Sequence, residues 1–255
     1  MKFNVNSNEL KEALESLQVK GKHLTNNGFS SSDFGSIFYA HIYEDTLSLY
    51  NGDSTFMLKI TLQVEEGENG SFVADSSLIL PYLKSFGDIV NVVVGDYISM
   101  SSGTKKANVP KLVEHPSNDA LQRLIQMTNH VRYEPNPQTM FAFGNSNFEG
   151  AFTLSQNVFK GCIKNAELVK SGIYNLNFHE GVVKITSTTN ATTSYEESIT
   201  PTFLTGDSAT LDFSSPLYSF FEKDQMLNFY VKDEFPMLIV ANDRLVLKAP
   251  YVGGN

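Results

Sequence analysis

The residue types that do catalysis are present in this chain but are not arranged for it. His23, His41, His115, His130 and His179 are scattered and show no metal-ligand spacing. Cys162 falls on the apolar stripe of a helical segment, which reads as a core thiol rather than a nucleophile. There is no glycine-rich phosphate loop. Asp and Glu are plentiful, so a hydrolase using two carboxylates in a cleft between two domains stays open, but no pair stands out. Lysines do form a pattern. Lys160 and Lys164 lie one turn apart and share a helix face beside the buried stripe. Taken alone, such a face is most simply a solvated one. The reading is of a protein that is not an enzyme and needs no metal or cofactor.

The elements that must position these residues come twice. Asn6-Ser7-Asn8-Glu9 opens a helix with capping-box spacing, and Leu10, Ala13, Leu14 and Leu17 follow as its buried stripe. After residue 150, Ser155-Gln156-Asn157 opens a second such helix, near 155–170, burying Phe159, Cys162, Ile163, Ala166 and Val169. Strands follow each helix. In the first half they are Ile37–Tyr43, Thr46–Tyr50, Ser54–Val64 and Ser71–Ala74; in the second, Ile173–Phe178, Val182–Thr188, Ser194–Thr200 and Ala209–Phe213. A short helix then starts at a serine pair, Ser76-Ser77 or Ser214-Ser215, with Pro216 in the first turn of the second one. Each half closes with strands: Ile89–Val94, Tyr97–Met100 and Lys105–Val109, then Leu227–Val231, Met237–Ala241 and Arg244–Lys248. Between the halves, three prolines (Pro116, Pro135, Pro137) mark a connector, within which Asn118–Asn129 has a helical face of Leu121, Leu124 and Ile125. The expected division is 1–114, a connector at 115–145, and 146–255. The expected class is α+β, two similar domains with two helices each on antiparallel sheets.

Composition agrees. A chain of 255 residues, 41% hydrophobic and 18% charged, has the material for two folded domains. No apolar run reaches the roughly 20 residues of a membrane helix, and the first residues carry no signal-peptide core. A single cysteine excludes an internal disulfide and fits a reducing compartment. Asn190-Ala191-Thr192 matches the glycosylation pattern by chance on this reading. The net charge of −9 argues against gripping nucleic acid with the whole surface, though not with a few lysines gathered on one face.

The doubled order resembles that of the DNA sliding clamps. The opening Met1-Lys2-Phe3-Asn4-Val5 and the Leu10/Leu14 helix are similar to the start of bacterial and archaeal clamps. Phe235-Pro236-Met237-Leu238, followed by Leu247-Lys248-Ala249-Pro250-Tyr251, resembles the closing strands of proliferating cell nuclear antigen. The resemblance implies a ring of three subunits around duplex DNA, bound without regard to sequence, tethering a DNA polymerase and opened by a clamp loader. It implies a place in the cytoplasm of a prokaryotic or phage-infected cell, with the nucleoid. The lysines it would turn to DNA are Lys11, Lys20, Lys22, Lys84, Lys160, Lys164, Lys170 and Lys223. It also implies a surface pocket for a partner's short hydrophobic motif, built from Ile42, Leu47, Leu49, Leu112, Phe235, Pro236, Met237, Ala249, Pro250 and Tyr251. Core filling is the plain alternative for the strand residues. The alternative for the whole chain is a structural ring or tube protein, for example of a virion, made from a similar duplicated sheet.

Overall fold

A computed structural model describes residues 1–18, 22–25, 28–31, 35–129, 142–143, 146–189, 193–206, 208–214 and 217–251, with the backbone alone at 22–25, 28–31, 129, 142–143 and 146–147. The chain divides into two units. One comprises 1–20, 33–53 and 58–121, and the other 21–32, 54–57 and 122–255.

In the first unit, strand β1 (Lys2–Asn6) buries Phe3 and Val5 and runs straight into helix α1 (Ser7–Leu17). Asn6 makes the join. Its side-chain oxygen accepts from the amides of Asn8 at 2.9 Å and Glu9 at 3.1 Å, two of the donors that a helix start leaves unpaired. Leu10, Ala13, Leu14 and Leu17 are buried, as their spacing predicts. After a hairpin of β2 (Lys22–Thr25) and β3 (Gly28–Ser31), which belongs to the other unit, come β4 (Ile37–Tyr43), β5 (Thr46–Gly52), β6 (Phe56–Gln63) and β7 (Gly70–Asp75), in sheet order β6-β5-β4-β7. Glu44 and Asp45, both at positive φ (47° and 57°), turn β4 into β5, the geometry that matches the strand twist. Asp75 caps α2 (Ser76–Leu83) by accepting from Ser77 N–H at 2.8 Å. Strands β8 (Ile89–Val94), β9 (Tyr97–Ser102) and β10 (Lys105–Pro110) then join β1 in the antiparallel order β1-β8-β9-β10.

Helix α3 (Asn118–Asn129) forms where the connector's apolar face predicts it, with Leu121 and Ile125 buried. Two short strands, β11 (Ala142–Phe143) and β12 (Ser146–Asn147), pair next. In the second unit, β13 (Gly150–Ser155) runs into α4 (Gln156–Glu167), capped by the Ser155 hydroxyl, which accepts from Val158 N–H at 3.3 Å. Strands β14 (Ile173–His179), β15 (Val182–Thr188), β16 (Ser194–Ile199), β17 (Phe203–Gly206) and β18 (Ala209–Ser214) follow. A single 3-10 turn, η1 (Leu217–Phe220), precedes β19 (Met226–Val231), β20 (Met237–Ala241) and β21 (Arg244–Lys248). The sheets run β16-β15-β14-β18 and β13-β19-β20-β21, with β17 on the outer side of β13.

With the β2–β3 hairpin and β17 set aside, this is strand for strand the order of the first unit. Small details repeat with it. Ser7 N–H donates to the Asp88 carbonyl at 2.8 Å, and Gln156 N–H donates to the Gln225 carbonyl at the same distance, each bond joining a helix start to the entry of the neighbouring strand. The Glu180-Gly181 turn has positive φ at both residues, like Glu44-Asp45. The fold is therefore α+β, as its class was read. The core of the second unit is aromatic, with Phe229 stacked on Phe152 at 4.8 Å and edge-on to Phe159 at 5.1 Å.

Two local expectations change. Among the described residues the second half shows only η1 after β18 and not a short α-helix; the chain leaves the helical region at Asp224, φ 66°, and Arg244 donates to the Phe220 carbonyl. Helix α4 ends at Glu167, short of 170, where Lys170 turns into the left-handed region at φ 61°. Pro216, Ser215 and the 190–192 sequon lie outside the described residues.

Candidate nucleic-acid and partner surfaces

The predicted DNA-facing lysines divide by unit. On α1, Lys11 is half-buried and stands among the exposed Glu9, Glu12 and Glu15, while Lys84 caps α2 in the open. On α4, Lys160 is half-buried and Lys164 exposed, and Lys170 and Lys223 are exposed beyond α4 and η1. The acids on this second helix layer are partly committed. Glu222 pairs with Arg244 at 2.6 Å, and Asp224 accepts from the Asn157 side chain. The helix layer of the second unit is thus the more electropositive of the two. Lys20 and the side chain of Lys22 lie outside the described residues.

The predicted partner pocket also separates. Ile42, Leu47, Leu49 and Met237 are all 0% exposed. Ile42 faces Leu47 across the β4–β5 ladder, and Ala40 faces Leu49, so these side chains fill the core of the first unit. They offer no surface of their own. Leu112 is half-buried, its backbone bridged to Val73. In the second unit Phe235, Pro236, Ala249, Pro250 and Tyr251 are half-exposed. Phe235 packs edge-on against Phe148 at 5.9 Å.

Beside the closing residues lies a cleft of about 420 Å³ within the second unit, lined by Asn175, Thr210, Leu211, Asp212, Glu234, Pro250 and Tyr251. Cross-strand pairing builds it. Asn175 on β14 sits opposite Asp212 on β18 and donates to its carboxylate at 2.8 Å. Tyr251 N–H donates to the Asp212 carbonyl at 2.7 Å, fixing the chain's closing segment along the cleft. Only Pro250 and Tyr251 were legible in the sequence as part of such a surface. The polar side of the cleft depends on the β14–β18 register, which no local motif encodes.

Two buried groups set the background. Cys162 is 1% exposed; burial first, and the neighbouring Glu197 second, push its thiol up to about 12, so it carries no thiolate at neutral pH. His115, 1% exposed, is held neutral by burial. Its Nδ1 accepts from Ser117 N–H at 3.0 Å, which leaves Nε2 to donate to the Ile37 carbonyl at 3.3 Å. That pair of bonds pins residues 115–117 to β4. Among the described residues, no group of three or more His, Cys, Asp or Glu could hold a metal ion, and no helix is long and apolar enough to cross a membrane.

The architecture is that of the DNA polymerase sliding clamps. Neither the known family models nor the curated proteins contain a match to the sequence; the likeness is in the structure. The beta subunit of DNA polymerase III from Thermotoga maritima aligns over 100% of this chain with a TM-score of 0.76 at 14% identity, and this chain spans 66% of it. The DNA polymerase sliding clamp of Pseudomonas aeruginosa aligns over 99% of this chain, TM-score 0.73 at 12% identity, with 67% of that protein covered. A. fulgidus PCNA, in a complex with the C-terminal region of FEN-1, aligns over 100% of this chain and 99% of its own, TM-score 0.68 at 14% identity. At such identities the fold is what is shared.

Proposed function

We propose that this chain is a DNA sliding clamp: copies of it close into a ring around duplex DNA and tether a replicative polymerase, with no chemistry of their own. The observation that carries the reading is the strand-for-strand repeat of one helix-and-sheet unit along the whole chain, in the fold of known clamps. The domains of the ring are 1–114 and 146–255, joined by a connector at 115–145. The match over 99% of the A. fulgidus PCNA chain supports reading the ring as three copies of this chain. The location is the cytoplasm, at the nucleoid.

Two sheet edges support head-to-tail closure. Among the described residues, strand β10 pairs only with β9, and β16 only with β15. The first presents exposed Lys105 and Lys106, the second exposed Glu196, with Glu197 half-buried beside it. Lysines on a lone edge discourage pairing with a like edge, and an acidic edge on the next copy reverses that effect.

DNA contact falls to Lys160, Lys164, Lys170 and Lys223 of the second unit, with Lys11 and Lys84 weaker contributors and the role of Lys20 and Lys22 carried over from the resemblance. Phosphate contact by lysine is independent of sequence and weakened by salt. Because the ring provides the topological link, weak contact is sufficient and an acidic exterior is tolerated. Partner proteins, a polymerase and a loader, dock at the closing segment around Pro236, Ala249, Pro250 and Tyr251; the A. fulgidus PCNA complex with a FEN-1 segment supports peptide docking on this fold.

The test is electron microscopy of the purified protein together with primer extension on a circular template. A closed ring with a duplex-sized hole, and longer products at unchanged initiation, are expected. In the same assay Lys160→Ala/Lys164→Ala should shorten the products while leaving the ring intact. A stable monomer at micromolar concentration, or a ring without effect on product length, would count against the proposal; the latter would favour a structural ring.

A further inference from the structure

The cleft of the second unit has a chemical character beyond being a place for an apolar motif. Its floor is Leu211, 3% exposed, and its wall is Pro250 and Tyr251. Both charged side chains that line it are carboxylates, Asp212 and Glu234, and both are exposed. Asn175 occupies one oxygen of Asp212, and among the described residues no cation pairs with it. Glu234 has neither a hydrogen-bond nor an ion-pair partner among the described residues, and it is held out at a positive φ of 53°. The adjoining Asp233 adds a third carboxylate, which accepts from Thr210 N–H at 2.6 Å. The nearest lysine in sequence, Lys232, is spoken for: it pairs with Glu149 at 3.4 Å and lies over the Phe235 ring at 5.9 Å.

The volume, about 420 Å³, is in the range of roughly 300–1,000 Å³ usual for ligand clefts, and its mixture of an apolar floor with a few placed polar groups is that of a recognition site. A neutral or acidic occupant would leave both lining carboxylates without a counter-charge. A basic one would satisfy them.

The geometry points to a partner segment of a defined kind: a peptide that sets an aromatic or aliphatic anchor on Leu211, Pro250 and Tyr251 and places a Lys or Arg between Asp212 and Glu234. This rests on the peptide-docking part of the clamp reading and adds the charge of the partner. The acidic edge also excludes DNA from this cleft, so the two ligands of the protein are sorted by sign, lysines for the duplex and carboxylates for the partner.

The probes are two fluorescein-labelled peptides, Gly-Ser-Lys-Leu-Ser-Ser-Phe-Phe-Gly and the same sequence with Glu in place of Lys, titrated with the full chain by fluorescence anisotropy. Exposed charge pairs are each worth a few-fold in affinity, so about fivefold tighter binding of the Lys peptide is expected at low salt. The preference should shrink to less than about twofold in Asp212→Asn/Glu234→Gln, and also in the unmutated protein as salt screens the contact. Circular dichroism of the variant shows that it is folded. If both peptides bind equally and Tyr251→Ala weakens both, peptide docking stands and the basic preference is overturned. If neither peptide binds, or if binding is indifferent to Tyr251→Ala, the docking reading falls with it. Tighter binding of the Glu peptide would overturn the inference directly.

Discussion

Arg244 holds the Glu222 carboxylate at 2.6 Å from a position that is 3% exposed. The same guanidinium donates to the Phe220 carbonyl and lies 5.8 Å from the Phe220 ring. One buried cation thus ties β21 to η1 and to the loop that carries Lys223. Glu222 is half in water, so most of the worth of Arg244 lies in satisfying the buried carbonyl and filling the space. Arg244→Ala should therefore cost about 2–3 kcal/mol, read as a lower urea midpoint. Glu222→Ala, which removes only the exposed partner, should cost less.

This contact also shows where sequence reading stops. The stripes of α1 and α4 are written in apolar spacing, and the bounds of β8, β15, β20 and β21 match the expected ones. Strands β1 and β13 were not read, since each passes into its helix with no turn residue between. β13 is moreover buried on both faces, Gly150 to Leu154, so it lacks the alternation that marks a strand. The second short helix had a sequence signal, but among the described residues only η1 forms there, held by Arg244, 24 positions away, through the Phe220 carbonyl. The lysine face at 160 and 164 was legible because helix spacing fixes it. The acidic cleft was not, because Asn175 and Asp212 meet only through strand register. The pocket strands Ile42, Leu47 and Leu49 were legible as apolar, and the β4–β5 pairing places them inside.

Three glycines make a stability test with opposite signs. Gly161 lies in the middle of α4, and a Cβ there meets nothing within 4 Å. Gly161→Ala should stabilise the second unit by about 1 kcal/mol, through helix propensity alone. At Gly150 a Cβ would stand 2.4 Å from the buried Phe178 ring, and Gly150→Ala should destabilise by about 1–3 kcal/mol. At Gly206, φ is +91° and a Cβ would lie 2.1 Å from the Glu149 carbonyl oxygen, so Ala should be worse still. Thermal unfolding of the three variants checks the order.

Alkaline pH should unfold the protein through groups that fold with their protons on. Burial pushes Cys162, Tyr195 and Tyr230 each up to about 12, with Glu197 contributing at the first two. For an acid raised on folding, the native state keeps a proton that the unfolded chain releases. The stability is full below the unfolded value, near 9 for a thiol and 10 for a phenol, and is lost as pH rises toward about 12. The urea midpoint should fall steadily between those values. Cys162→Ala should remove the part of the slope that begins nearest pH 9, and Cys162 should react with a thiol reagent at pH 8 only after denaturation.

The opposed edges allow a test of assembly that a folding defect cannot imitate. Lys105 and Lys106 on β10, and Glu196 on β16, are exposed strand residues whose loss leaves the core untouched. Among the described residues Glu196 is tied to Lys184 at 3.0 Å, and the Lys105 ammonium donates to the Ser85 carbonyl. Lys105→Glu/Lys106→Glu should weaken self-association on the order of tenfold at low salt, and progressively less as salt is raised. Adding Glu196→Lys to the same chain re-opposes the two edges in sign and should recover part of the loss. Sedimentation of the single, paired and combined variants reads this directly. If the combined variant associates no better than the β10 variant, the two edges do not meet, and the copies must join elsewhere.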